Sequence, residues 1–265
     1  MKSLLKILVL MAVISSSSNF LMAQWIQSGP DNGTVNCLAS IDNILFAGSN
    51  GGVFLSADGA DSWNHPMSEL WAKEVTNFVV MGTNLFAAER YLGGFSRSSN
   101  NGSSWIWVGT GLPSAAILDL TVLDSFIFAG TQGGGIYRFD NLGANWIPVN
   151  SGLSADTVTS LAVIDTVLFA GSWGGGVFRS INYGSSWIPL TSGLSEDTVT
   201  TLAAIDTQLF AGTYSGGVFR SGDYGDNWVP ISNGLANDQV TSLASIDNSV
   251  FVGTSNGVYR STDNG

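Results

Sequence analysis

One unit of about 41 residues repeats along the chain, and this repeat limits the possible folds more than any other feature. Its clearest marker is the phrase LFAG or a close variant, whose phenylalanines are separated by 40, 42, 41, 41 and 41 residues. They are Phe46, Phe86, Phe128, Phe169, Phe210 and Phe251. A fixed period in the forties is typical of β-propeller blades and of solenoids built from helix pairs. The pattern within one unit decides between them.

The fourth unit contains four short apolar stretches, at residues 158–165, 166–172, 176–180 and 186–190. Glycine, asparagine and aspartate separate the stretches, and the apolar residues do not recur at helical spacing. Four short strands joined by tight turns predict a four-stranded antiparallel blade. The 33 glycines and the low charged fraction of 11% also suit a β protein. The sequence therefore predicts an all-β, six-bladed propeller.

A loop motif recurs between the third and fourth predicted strands of the units. Its full copies are SADGADSW (56–63), SSNNGSSW (98–105), FDNLGANW (139–146), SINYGSSW (180–187) and SGDYGDNW (221–228). This pattern resembles the Asp-box, S-x-D-x-G-x-x-W, of the BNR-repeat β-propellers. That family includes sortilin-type receptors, photosystem II assembly factor-like propellers, bacterial sialidases and xyloglucan-degrading enzymes. The resemblance covers essentially the whole predicted mature chain and implies a propeller from a secreted bacterial protein.

In that family the box is a folding element, which implies a structural role for the matching residues here. A short polar side chain bonds backbone N–H groups in the turn, as either aspartate or asparagine can, and the tryptophan packs beneath. The residues concerned are Asp58, Trp63, Trp105, Trp146, Trp187, Asp223, Trp228 and Asp263. The copies depart from the pattern at Ala60, Asn100, Phe139, Asn141 and Asn182.

The N-terminal segment does not belong to the repeats. Lys2 and Lys6 stand at the start of an almost wholly apolar run, and four serines follow it. This layout is typical of a secretory signal peptide, so we expect a signal peptide at residues 1–23 and a propeller at residues 24–265. We therefore expect a secreted, periplasmic or cell-surface protein with no membrane insertion. Cleavage leaves seven cationic residues against 20 acids, and this net charge of −13 argues against binding to nucleic acid.

The sixth unit stops inside its box, at STDNG (261–265), before any tryptophan. Trp25, in QWIQSG (24–29), matches the fourth-strand segment NWIPVNSG (145–152) in type and phase. One interpretation is that this N-terminal strand pairs beside residues 257–261 and completes the last blade, which leaves no sheet edge open. The other interpretation is that the chain is a fragment of a longer propeller.

Few residues are suited to catalysis or to metal binding. His65 is the only histidine and Cys37 the only cysteine, so we expect no catalytic triad, no His/Cys metal site and no cofactor. Five arginines share one repeat position in the third strand, so they should lie along the blades and not converge on one substrate, as sialidase chemistry requires. They are Arg97, Arg138, Arg179, Arg220 and Arg260. A pair of carboxylates of the glycosidase type stays open.

Residues that break the repeat are better candidates for binding, because a structural residue should recur in every blade. Loops between the second and third strands should share one face with the links between blades. That face collects Trp71, Glu89, Arg90, Tyr91, Trp173 and Tyr214. Exposed aromatic rings beside hydrogen-bonding groups suit a glycan or a peptide or protein partner. We therefore predict a non-catalytic binding or scaffold propeller. The alternatives are a glycoside hydrolase, or a fragment of one, and aromatic rings that only cap the blades.

Overall fold

The computed structural model describes residues 29, 34–65, 70, 73–90, 94–140, 145–236, 239–246 and 249–265. It is a six-bladed β-propeller, as predicted, and every helix-or-strand element within those residues is a strand. No helix in the described part of the chain is long and apolar enough to cross a membrane. Trp25, Trp71 and Tyr91 lie outside the described residues.

Each blade is a small antiparallel sheet whose strands follow one another in chain order. The first two blades contain β1 (Val35–Ile41), β2 (Ile44–Ser49), β3 (Gly52–Ser56), β4 (Val75–Met81), β5 (Asn84–Glu89), β6 (Phe95–Ser98) and β7 (Ile106–Trp107). The third and fourth contain β8 (Ile117–Leu123), β9 (Phe126–Thr131), β10 (Gly135–Asp140), β11 (Trp146–Pro148), β12 (Val158–Ile164), β13 (Val167–Ser172), β14 (Gly176–Ser180) and β15 (Ile188–Leu190). The last two contain β16 (Val199–Ile205), β17 (Gln208–Thr213), β18 (Val218–Ser221), β19 (Val229–Pro230), β20 (Val240–Ile246), β21 (Ser249–Thr254) and β22 (Gly257–Ser261).

The turn between the first and second strands explains the aspartate that recurs there. Asp42, Asp124, Asp165 and Asp206 all have positive φ angles, between 51° and 53°. Aspartate enters this left-handed region more readily than most residues because its short side chain can bond the local backbone. The recurrent aspartates therefore serve the tight hairpin turn.

Within the described residues, five apolar cores lie between successive blades. Between the third and fourth blades, Phe128 and Val149 come from one blade, Leu161 and Phe178 from the next, and Trp187 is buried among them. Both faces of an inner blade are therefore covered by apolar side chains. This explains why its strands are continuous apolar runs and do not alternate between polar and apolar residues.

A glycine in the second strand lets neighbouring blades approach closely. A Cβ added at Gly171 would lie only 2.7 Å from Cγ1 of Val199 in the next blade. Gly130 and Gly212 meet Val158 and Val240 in the same way. The glycine of the repeated phrase LFAG is therefore required by packing between blades.

The first and last blades differ from the inner four. In the first blade, a single β-bridge between Leu55 and Asn64 stands where the inner blades have a fourth strand. The last sheet has three described strands. Val258 of the last blade is 76% exposed, whereas its equivalents Val177 and Val218 are buried. The predicted pairing of Trp25 beside β22 falls on residues outside the described set, so it stays a prediction.

Candidate binding site on the loop face

The propeller has two chemically different faces. The box face carries the loops between the third and fourth strands together with the hairpin turns between the first and second. The loop face carries the loops between the second and third strands together with the links between blades. On the loop face, the backbone N–H of Trp173 donates to the carbonyl of Thr157, a link residue, over 3.0 Å. On the box face, Tyr183 Oη donates to Oδ2 of Asp124 in the previous blade's hairpin turn over 2.7 Å.

One serine organises each well-formed box loop. In the fourth blade, Ser180 Oγ accepts the N–H of Gly184 over 2.9 Å and donates to Oδ1 of Asn182 over 2.9 Å. That amide oxygen in turn accepts the N–H of Ser186 over 2.9 Å. These bonds satisfy the backbone donors of a tight turn that has no strand partner of its own.

Aspartate and asparagine fill the acceptor position equally well, but only aspartate is charged. Asp58 accepts hydrogen bonds from Ser62 Oγ over 2.5 Å, from the N–H of Ser62 over 3.0 Å and from Ser56 Oγ over 2.7 Å. The bonds from Ser62, and then the bond from Ser56, lower the pKa of Asp58 to about 2. Bonds from Asn227 and Ser221 lower the pKa of Asp223 in the same direction. Asn100 and Asn182 make the equivalent bonds with a neutral amide.

The box tryptophans join one blade to the previous one. Trp105, Trp146, Trp187 and Trp228 are buried, with 2% to 4% of their surface exposed, while Trp63 in the first blade is half-buried. The indole N–H of Trp187 donates to the carbonyl of Val149 in the third blade over 2.8 Å. Its backbone N–H also donates to the carbonyl of Ser151 over 2.8 Å. These contacts give the tryptophan a role in packing.

Phe139, which replaces the box serine of the third blade, has a packing partner that explains it. Its ring centroid lies 6.2 Å from that of Phe95 and 5.2 Å from that of Trp146. Phe95 occupies a position held by valine or isoleucine in the other blades. The two departures from the repeat therefore form one aromatic cluster between the second and third blades.

The third-strand arginines spread around the ring, as predicted from their shared position. Nη1 of Arg138 donates to the carbonyl of Tyr183 over 2.9 Å, and Nη1 of Arg179 donates to that of Tyr224 over 3.0 Å. Each arginine thus bonds the box loop of the next blade. The charges of Arg138 and Arg179 are therefore used on the box face, at two different blades.

Two predicted site residues lie together on the loop face. Trp173 is 54% exposed and Tyr214 is 47% exposed. Their ring centroids are 5.5 Å apart, and the ring planes are inclined by 56°. Because Trp173 follows β13 and Tyr214 follows β17, the pair bridges the fourth and fifth blades. It forms an aromatic surface that the described residues leave open to solvent.

Glu196 lies beside this pair, although the predicted set of six omits it. Its carboxylate accepts a short hydrogen bond from Ser215 Oγ and two bonds from the N–H groups of Asp197 and Thr198, both over 3.2 Å. The bond from Ser215, ahead of the backbone bonds, lowers the pKa of Glu196. The signal in the sequence is that Glu196 stands where the previous repeat has Ala155.

The second blade contributes a different arrangement. Glu89 is only 7% exposed, accepts a hydrogen bond from Ser96 Oγ over 3.1 Å and pairs with Nζ of Lys73 over 3.3 Å. Arg90 pairs with Glu74. Ser96 stands where other blades have phenylalanine or tyrosine, and this smaller side chain leaves room for the buried carboxylate. Glu89 therefore does not share the exposure of Trp173 and Tyr214, which sequence reasoning could not foresee.

The loop face near the aromatic pair is acidic. The segments 150–157, 172–176, 191–198 and 213–217 contain Asp156, Glu196 and Asp197, and no lysine or arginine. Asp156 and Asp197 are exposed. This face therefore presents negative charge without a cation in the same segments to neutralise it.

Metal-ligand clusters are absent from the described residues, where no group of three His, Cys, Asp or Glu side chains converges.

His65 Nε2 lies 3.1 Å from the carbonyl oxygen of Gly51, and its ring packs edge-on against Phe54 with centroids 4.4 Å apart. The histidine thus has a local packing role in the first blade.

No family model and no curated protein matches the chain, but many solved structures share its fold. YCF48 bound to D1 peptide aligns with a TM-score of 0.69 at 18% identity, over 88% of this chain and 79% of that one. PorZ, an essential surface component of the type-IX secretion system of Porphyromonas gingivalis, gives 0.67 at 16% identity, over 83% of this chain and 37% of that one. An ancestral GH74 enzyme gives 0.64 at 19% identity, over 86% and 38%.

These similarities define the chain as a β-propeller and leave its ligand open, because all three identities are below 20%. The chain spans little more than a third of PorZ and of the GH74 enzyme. The same fold occurs in a peptide-bound protein, in a secretion-system component and in an enzyme. The function of this chain therefore has to be argued from its own surface.

Proposed function

We propose that this protein is a non-catalytic, exported binding propeller that holds a peptide segment of a protein partner on its loop face. The observation that carries the proposal is the exposed pair of Trp173 and Tyr214 on neighbouring blades. Aromatic side chains such as these are frequent anchors of protein interfaces. The solved complex of YCF48 with D1 peptide supports a peptide as the ligand class.

The charge around the pair favours a ligand with cationic side chains. Glu196, whose pKa is lowered first by its hydrogen bond from Ser215, lies beside the rings, and Asp156 and Asp197 are exposed nearby. Lysine and arginine are attracted both by carboxylates and by the faces of tryptophan and tyrosine rings. The proposed ligand is therefore an extended segment that places lysine or arginine against this surface. Arg90, in the second blade, belongs to a more distant part of the proposed face. Trp71 and Tyr91 are outside the described residues, so their place on this face stays a prediction.

The glycoside hydrolase alternative has weaker support. A glycosidase needs a general acid with a raised pKa and a second carboxylate facing it. The pKa of Glu196, the carboxylate beside the aromatic pair, is lowered, which does not suit the general acid of such a pair. The similarity to a GH74 enzyme reflects the fold that both chains share.

Export is part of the proposal and rests on the apolar N-terminal run between Lys2 and the serines at residues 15–18. PorZ, a bacterial surface component with the same fold, supports this location for a propeller. A protein outside the cytoplasm meets partners through its surface, which fits a role for the open aromatic pair. Mass spectrometry of the exported chain should find an N-terminus at Gln24.

The test of the binding site starts from arrays of short peptides that differ in lysine and arginine content, beside an array of glycans. We expect cationic peptides to bind, and binding to weaken as salt rises. The double variant Trp173→Ala, Tyr214→Ala should lose about 2 kcal/mol of binding free energy, roughly 30-fold in affinity. The matched control is Trp107→Ala, since Trp107 is 59% exposed on an outer strand away from the pair.

The outcomes are distinguishable. If Trp107→Ala loses as much affinity as the double variant, or if the double variant binds as tightly as the unchanged protein, the aromatic pair is not part of the site. Binding to glycans in place of peptides would keep the site and replace the ligand class. Hydrolysis of a bound glycan would establish the enzyme alternative.

A further inference from the structure

The link between the fourth and fifth blades holds Glu196 between the two loops that carry the aromatic pair. The N–H of Gly176, which ends the loop of the fourth blade, donates to the carbonyl of Asp197 over 2.7 Å. The N–H of Tyr214, in the loop of the fifth blade, donates to the carbonyl of Thr198 over 3.0 Å. The backbone next to this carboxylate is therefore bonded to both loops.

The carboxylate of Glu196 has most of its acceptor positions filled. Oε1 accepts the N–H groups of Asp197 and Thr198, both over 3.2 Å, and Oε2 accepts the hydroxyl of Ser215. An ionised carboxylate has about four lone-pair positions, two on each oxygen. The described residues therefore leave one position open to a ligand, and it is on Oε2.

A single open position suits lysine better than arginine. A guanidinium binds a carboxylate most strongly through two parallel N–H···O bonds, one to each oxygen. Oε1 of Glu196 has no position for the second of these bonds. A lysine ammonium needs only one acceptor for each bond that it donates. The filled Oε1 thus removes the usual advantage of arginine at a carboxylate.

The two aromatic rings favour the same side chain for a separate reason. A cation is attracted to an aromatic ring within about 6 Å of the centroid, and the centroids of Trp173 and Tyr214 are 5.5 Å apart. One ammonium can therefore lie within this range of both rings. A planar guanidinium stacks on a ring face, and if it is parallel to one ring it is inclined by 56° to the other. Arginine can consequently stack on only one ring at a time.

Resting on the proposed function, we propose that this site selects lysine over arginine in the bound segment. The lysine ammonium lies against both rings and donates to Oε2 of Glu196. Ser215 is a positioning residue, because its hydroxyl holds that carboxylate beside the rings. The preceding repeat has Ala155 and Gly174 at the positions of Glu196 and Ser215, so it has no side chains that could form this bond. Aromatic faces bind arginine more often than lysine, so the selectivity runs against the general trend.

Two arrayed peptide libraries test the selectivity on the unchanged protein. They are identical except that the central residue is lysine in one and arginine in the other. We expect the lysine member of a binding pair to bind about 5-fold more tightly, which titration calorimetry measures. Arginine members that bind equally or more tightly would overturn the selectivity and leave the proposed function standing. If no member of either library binds, the proposed function fails and this inference fails with it.

A single-ring variant tests the contribution of the inclined rings. Tyr214→Ala leaves one flat ring on which a guanidinium can stack, so the lysine preference should disappear or reverse. Tyr214→Phe, which places a ring at the same position, should restore it. Melting temperatures establish that both variants are folded. A preference that is the same in Tyr214→Ala as in the unchanged protein would show that the ring pair is not its source and would overturn the argument.

A charge variant tests the contact with Glu196. Glu196→Gln keeps the shape of the side chain but removes the charge, so the affinity for the lysine peptide should fall about 10-fold. The matched control is Asp61→Asn, which removes one charge in the box loop of the first blade and should change the affinity little. An equal loss in the two variants would show that the peptide responds only to the net charge of the protein, and would reject the contact.

Discussion

The box face and the loop face are built from the same repeat, yet they differ in how strictly the repeat is kept. On the box face, Ser180 and Ser221 make the same hydrogen bonds, and Trp187 and Trp228 are buried in equivalent apolar cores between blades. On the loop face, Trp173 and Tyr214 stand at a position that is polar in the other four blades. The residues there are Asn50, Arg90, Gln132 and Ser255. The difference separates residues that build every blade from residues that the fold leaves free to vary.

The largest effect is expected from a box tryptophan. Trp187→Ala should destabilise the protein by about 3–5 kcal/mol, because it removes a large buried ring and leaves a cavity between two blades. Chemical denaturation measures the change, with exposed Trp107→Ala as the control, which should stay within about 0.5 kcal/mol. A Trp187→Ala protein of normal stability that has lost a ligand would reverse the assignment of roles to the two faces.

A box serine should matter less than the tryptophan beneath it. Ser221→Ala leaves the N–H of Gly225 without its acceptor, at a cost of about 1–3 kcal/mol for a buried donor. The exposed Ser185→Ala serves as the control, and urea denaturation compares the two variants. Equal stabilities would mean that the turn holds its shape without this hydrogen bond.

The box aspartates should make stability depend on pH in a narrow acid range. The pKa of Asp58 is lowered from 3.8 to about 2 in the folded protein, so its contribution is full above pH 3.8 and is lost as the pH falls towards 2. Asp58→Asn should keep the turn, as Asn182 does, and reduce this acid dependence. Thermal unfolding from pH 2 to 5 measures it; an unchanged pH profile would show that Asp58 is not the group responsible.

The smallest effect on stability is expected on the loop face. The double variant Trp173→Ala, Tyr214→Ala should change the free energy of unfolding by less than about 1 kcal/mol, because both side chains are about half exposed. Calorimetry checks this before any binding measurement. A loss similar to that of Trp187→Ala would show that the rings cap their blades, and the contrast between the faces would disappear.

The order of strands within a blade was predictable from the sequence. The stretch predicted at residues 176–180 is β14, and those predicted at 158–165 and 166–172 agree with β12 and β13 to within one residue at each end. Turn residues and short apolar runs act locally, and their recurrence along the chain reinforces each single prediction. The sequence also located Trp173 and Tyr214, because they depart from the other copies.

Only the tertiary structure decided which departures are exposed and which are buried. Glu89 departs from the repeat as clearly as Tyr214, yet Ser96 and Lys73 hold it at 7% exposure. Trp173 and Tyr214 are 41 residues apart in the chain, and their rings meet because neighbouring blades bring equivalent loops together. A repeat predicts that equivalent positions are neighbours, whereas burial depends on the side chains that surround each position. The blades therefore follow from the sequence alone, and the candidate site required their packing.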